Sequence, residues 1–95
     1  MNLLKILKAL GDENRLRILN LLRQKGLCVC ELESVLNMTQ SNVSRHLIKL
    51  KEAELIESEK NGRFVIYRIN EAALVQYEFL KILCNQEILQ FGLVS

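Results

Sequence analysis

Cys28-Val29-Cys30 is the segment of this chain whose residue types most directly promise chemistry. Thiolates are the ligands that soft ions select, Zn(II) and Cu(I) among them, and As(III) or Sb(III) by the same logic. The pair falls where a short helix is expected to begin, over roughly Cys28 to Asn37, with Val29, Leu32 and Leu36 as its apolar stripe. A helix start presents unpaired N–H groups and partial positive charge, which favour thiolate over thiol. Residues two apart on an intact helix diverge by about 200°. Two sulfurs therefore meet one ion only if the first turn unwinds or if Cys28 precedes it. Ion binding that distorts this turn would shift the helix that follows. A lone Cys is often a small buried hydrophobe, but two flanking one Val at a helix start argue for a binding role. Cys84, further along, is either a buried structural residue or an additional ligand.

A second constellation follows. Thr39 reads as the N-cap of a helix from Gln40 to about Ala53, with Val43, Leu47 and Leu50 turned inward. Ser41, Arg45, Ile48, Lys49 and Glu52 then point outward. The short helix before it ends at Asn37, so the two are separated by a tight turn, the spacing of a helix-turn-helix. The leading residues of the second helix are Gln40, Ser41, Asn42, Ser44 and Arg45. Amides pair with adenine edges and Arg with guanine in the major groove. No carboxylate occurs from Ser34 to Lys51, while Arg45, His46, Lys49 and Lys51 all lie there. A polyanion requires such an acid-free surface. The bland alternative is a solvated polar face, and His46 is expected to pack or touch phosphate rather than hold a metal.

The elements that must position these residues are legible around them. An amphipathic segment from Asn2 to Leu10 ends at Gly11, and Asp12 caps a helix that runs to Gly26. Beyond the fourth helix the period changes to two. Leu55–Lys60 and Arg63–Ile69 read as strands joined by Asn61-Gly62, a hairpin signal in which both turn residues are expected at positive φ. Its tip carries Lys60, Asn61 and Arg63, placed to reach a flanking phosphate or the minor groove. The expected DNA-contacting set is thus Thr39, Gln40, Ser41, Asn42, Ser44, Arg45, His46, Lys49, Lys60, Asn61 and Arg63. A last helix is expected from about Glu71 to Gln90, apolar on too many sides for its own domain to cover, which points to a homodimer.

Composition bounds the rest. The chain has 95 residues, 49% of them hydrophobic and 25% charged, with 13 Lys+Arg against 11 Asp+Glu. That is one small globular domain, spanning residues 1–95, with a net charge of +2 that argues for nothing alone. No apolar run of about 18 residues marks a membrane span, and no secretory signal pattern opens the chain. An odd count of three Cys suits a reducing cytoplasm better than a disulfide framework. A single His excludes sites built from several histidines. A thiol oxidoreductase is disfavoured, because no βαβ pattern surrounds the Cys pair and the chain has no Pro.

Cys28-Val29-Cys30-Glu31-Leu32, Gln40-Ser41-Asn42-Val43-Ser44-Arg45-His46-Leu47 and Tyr67-Arg68-Ile69 resemble the ArsR/SmtB family of winged-helix metalloregulatory repressors. The segment Leu10 to Leu19 resembles that family's common start. The resemblance implies an α+β, mainly α, winged helix-turn-helix in the order α-α-α-α-β-β-α. It also implies a homodimer on a palindromic operator near its own operon, released when As(III), Sb(III) or another thiophilic ion binds. Cys28 and Cys30 would be the metal ligands, with Cys84 as a possible third from the same or the other subunit. No metal is expected to be needed for folding. Many arsenic-responsive members carry a further Cys three positions after the second; this chain has Glu33 there. Zinc- and nickel-type members use carboxylate and His ligands in the last helix, which here has no His. An alternative within the same fold is a redox- or persulfide-sensing repressor that pairs Cys84 with Cys28 or Cys30.

Overall fold

A computed structural model describes residues 2–80. Four helices come first: α1 (Leu3–Leu10), α2 (Glu13–Gln24), α3 (Val29–Leu36) and α4 (Gln40–Glu52). An antiparallel hairpin of β1 (Ile56–Asn61) and β2 (Phe64–Ile69) follows, then α5 (Glu71–Gln76). This is the expected order. The helix starts are set by side-chain caps that accept a free backbone N–H: Asn2 from Lys5, Asp12 from Arg15, Thr39 from Asn42 and Asn70 from Ala72.

The core is one cluster that joins every helix to the hairpin. Ile6, Ile18, Leu19, Leu22, Leu32, Val43, Leu47, Leu50, Leu55, Ile56 and Ile69 are all buried in it. Val43, Leu47 and Leu50 are the inner stripe of α4, as the helical period requires. The α3–α4 turn begins at Asn37, whose φ of 54° lies in the left-handed region. Both the Asn37 and Met38 N–H groups donate to Glu33 O, which satisfies the end of α3. The end of α4 closes similarly. Glu54, at φ 59°, donates its N–H to Lys51 O, and Leu55 donates to Leu50 O, the two bonds of a Schellman motif.

Two local expectations are corrected. The hairpin pairs Asn61 with Phe64, so the two-residue turn is Gly62-Arg63 rather than Asn61-Gly62. Only Gly62, at φ 65°, is left-handed in that turn, and it occupies the first central position, where a glycine-led tight turn needs it. The last helix does not run on unbroken from Glu71. Tyr77 is extended (φ −124°, ψ 94°) and ends α5 at Gln76, with helical backbone again at Phe79 and Leu80. Leu74 and Leu80 would point about 120° apart on one straight helix. Both are buried against Leu19, Leu55 and Ile69, and the break at Tyr77 allows that. The remainder of the expected helix, with Cys84 and Glu87, lies outside the described residues.

Candidate nucleic-acid interface and thiol site

The outward face of α4 assembles as the spacing requires. Thr39, Gln40, Ser41, Arg45 and Lys49 are exposed, and Asn42 and Ser44 are half-buried beside them. Arg45 donates from Nη2 to Asn42 Oδ1, so two side chains with base-reading chemistry are already oriented together. Lys60, Asn61 and Arg63 are exposed at the tip of the hairpin. Lys51, by contrast, is drawn to the hairpin, where its Nζ donates to Ser58 Oγ at 2.7 Å.

His46 is not on the outward face. Its side chain is only 13% exposed, and Nδ1 lies 4.0 Å from Asp12 Oδ1. Arg15 Nη1 approaches the same nitrogen at 3.4 Å. The Arg15 guanidinium also donates from Nε to Ala9 O at 2.6 Å and from Nη2 to Lys8 O at 3.3 Å, capping the negative end of α1. Burial pushes the Asp12 carboxyl up. The Arg15 N–H, the charges of His46 and Arg15, and the Asn14 N–H outweigh it and hold the group below its ordinary 3.8. This polar hub fixes α4 to the α1–α2 junction. Sequence reading identified Asp12 only as a cap and missed Arg15, because their partners lie on other helices.

At the other end of the helix-turn-helix, Cys28 is the N-cap of α3, extended at φ −89° and ψ 169°. It precedes the first turn, so no unwinding is needed to bring the sulfurs together. Cys28 Sγ and Cys30 Sγ lie 2.7 Å apart. Cys28 is buried and Cys30 exposed. Glu31 Oε1 accepts the Cys28 N–H at 3.0 Å, and the Glu31 N–H faces the Cys28 sulfur in return, a capping box with sulfur in place of hydroxyl oxygen. The Cys28 N–H holds the Glu31 carboxyl below its usual range, assisted by the Cys28 side chain and the charge of Lys25.

The helix start does not make Cys28 a ready thiolate, against expectation. The hydrogen bond shared with Cys30 raises the thiol above its ordinary 9.0, and burial and the Glu31 carboxylate add to that. The Glu31 N–H opposes them and loses. Among the described residues, no third His, Cys, Asp or Glu joins this pair in a three-ligand cluster.

A helix pair with an exposed polar reading face, flanked by a basic hairpin, is the winged helix-turn-helix of DNA-binding regulators. Residues 12–58 match the family described as bacterial regulatory protein, arsR family. The chain is 43% identical over 68 residues to the arsenical resistance operon repressor of Escherichia coli K12, covering 70% of this chain and 58% of that protein. It is 32% identical over 83 residues to the cadmium resistance transcriptional regulatory protein CadC of Listeria innocua, covering 86% and 70% respectively. The fold matches the homodimeric winged helix-turn-helix DNA-binding domain Mb0332 from Mycobacterium bovis, a possible ArsR-family transcriptional regulator. That match has a TM-score of 0.76 and 28% identity, over 84% of this chain and 75% of that one. The chain therefore belongs to the arsR family of bacterial regulatory proteins. Its aligned part spans only 52% to 58% of the arsenic regulators from Pseudomonas putida and E. coli.

Proposed function

We propose that this chain is a cytoplasmic, homodimeric repressor that releases its operator when As(III), Sb(III) or another thiophilic ion binds Cys28 and Cys30. The approach of the two sulfurs to 2.7 Å, at the start of the helix that leads into the reading helix, carries the reading. Two thiolates about 2.3 Å from a tetrahedral ion stand roughly 3.8 Å apart. The pair must therefore open by about 1 Å to hold one, a small adjustment. Arsenous acid would be taken up by exchange: two S–H bonds and two As–OH bonds give two As–S bonds and two waters. Glu33 stands where a third thiol would complete the set, so Cys84 is the remaining candidate for it.

The DNA half uses the reading helix for bases, through Gln40, Ser41, Asn42 and Arg45, with Thr39 and Ser44 beside them. Lys49, Lys60, Asn61 and Arg63 serve the backbone. His46 acts by holding α4 in place rather than by contacting DNA. Leu3, Leu4 and Leu7 on α1 are 47%, 61% and 52% exposed and Val75 on α5 is 77% exposed, apolar surface that suits a two-fold partner. Two-fold symmetry then sets the reading helices about 34 Å apart for a palindromic site.

The test is operator release across As(III), Sb(III), Cd(II), Zn(II) and a peroxide, with the wild type and a Cys28→Ser/Cys30→Ser variant. Release of the wild type alone by As(III) or Sb(III) supports the reading. Equal release of both proteins, or release by the oxidant alone, overturns the ion-sensing assignment. Failure to bind any duplex overturns the DNA half.

A further inference from the structure

We propose that Gly26 and Leu27 couple the thiol site to the wing, so that an ion on Cys28 and Cys30 displaces the basic hairpin as well as the reading helix. The inference rests on the thiol-site reading above and assigns positioning residues to it. Leu27 immediately precedes Cys28, and both its backbone groups are paired with β2. Leu27 N–H donates to Tyr67 O at 2.9 Å, and Tyr67 N–H donates to Leu27 O at 2.8 Å. Gly26 lies against the same strand. A Cβ there would stand 2.7 Å from Ile66 Cγ2 and 3.4 Å from Tyr67 O. Gly26 and Leu27 thus tie the wing directly to the residue that caps α3.

The site has little slack on that side. Cys30 is exposed and hydrogen-bonded to Cys28, but Cys28 is 7% exposed, and Glu31 holds its N–H. An ion bonded to Cys28 needs room beside a buried sulfur, so Cys28 moves outward. Its backbone is one peptide bond from the Leu27–Tyr67 bridge, which moves with it. The hairpin is exposed over most of its length, with Ile56 and Ile69 buried only at its base. There Asn70 N–H also donates to Leu55 O at 2.9 Å. With the base fixed, a displacement at Tyr67 tilts the outer half that carries Lys60 and Arg63.

Amide hydrogen exchange on the intact protein tests this, with arsenite as the probe and binding followed separately by native mass. The Leu27 and Tyr67 amides should exchange at least tenfold faster in the loaded protein, while Asn70 stays unchanged. Arsenite bound with Leu27 and Tyr67 unmoved overturns the coupling and leaves the thiol site standing. No arsenite bound at all overturns the thiol-site reading, and this inference with it.

Gly26→Ala gives a second readout, the ratio of operator affinity without arsenite to that with it. The added methyl pushes against Ile66, so the ratio should shrink at least threefold, and Gly26→Ala/Ile66→Ala should recover it. A loss of affinity in both states with the ratio preserved would mark Gly26 as merely structural and sink the proposal.

Discussion

The raised thiol of Cys28 predicts that the site treats charged and neutral inducers differently as pH changes. The folded protein favours the protonated thiol through its hydrogen bond with Cys30, burial and the Glu31 carboxylate. Its pKa lies above the ordinary value, so the stabilisation is full below that value and fades as pH rises through the folded one. A divalent ion such as Cd(II) must expel that proton, so its affinity rises with pH. One proton released per ion is a factor of ten per pH unit, or about 1.4 kcal/mol. Between pH 6.5 and 8.5, Cys28 alone therefore contributes roughly a hundredfold gain in Cd(II) affinity. Arsenous acid behaves otherwise, because each thiol proton leaves as water with an arsenic hydroxyl. Its affinity should change by less than about threefold over the same range, the slope expected when no proton is released. Titrations followed by the sulfur-to-metal absorption band, with competing chelator for Cd(II), measure both slopes. A flat Cd(II) profile would mean that Cys28 is already ionised or is not a ligand, and would refute the reasoning. A steep arsenite profile would refute the exchange chemistry.

Three other outcomes are expected. Asn37→Val should lower stability to chemical denaturation by about 1–2 kcal/mol, because a β-branched residue is strained at the φ of 54° found there, whereas Asn37→Gly should be neutral or better. Arg45→Ala should cost about 1–3 kcal/mol in operator binding and relax base preference, whereas Lys60→Ala should weaken all sequences alike and reduce the salt slope by about one, both read by binding titrations at several salt concentrations. Leu4→Glu, at a side chain 61% exposed on α1, should yield a monomer by light scattering at micromolar concentration with the helical signal retained; a persistent dimer would place the interface elsewhere.

Much of this fold is visible along the chain because its signals are local. Asp12 and Thr39 cap the helices that follow them through N–H groups three residues on. Val43, Leu47 and Leu50 share a face by helical period alone, and Asn37 stops α3 by tolerating a left-handed backbone. The Cys-Val-Cys segment, the outward polar face of α4 and the basic hairpin tip are local too, and each can be read from residue type and spacing. The tertiary structure decided what those groups touch. Whether Cys28 lies inside or before the first turn depends on Leu27 being held as an extended bridge by Tyr67, far away in sequence. The Cys28 thiol is pushed up by its hydrogen bond with Cys30, by burial and by the Glu31 carboxylate, against the pull of its place at a helix start. His46 packs toward Asp12 and Arg15 because three helices converge there, and no period within one helix encodes that meeting. The chain breaks at Tyr77 because Leu74 and Leu80 share one core, and the apolar count alone could not reveal which side that core lies on. Caps and stripes are short-range chemistry, legible in order; burial and cross-strand pairing exist only once distant segments have met.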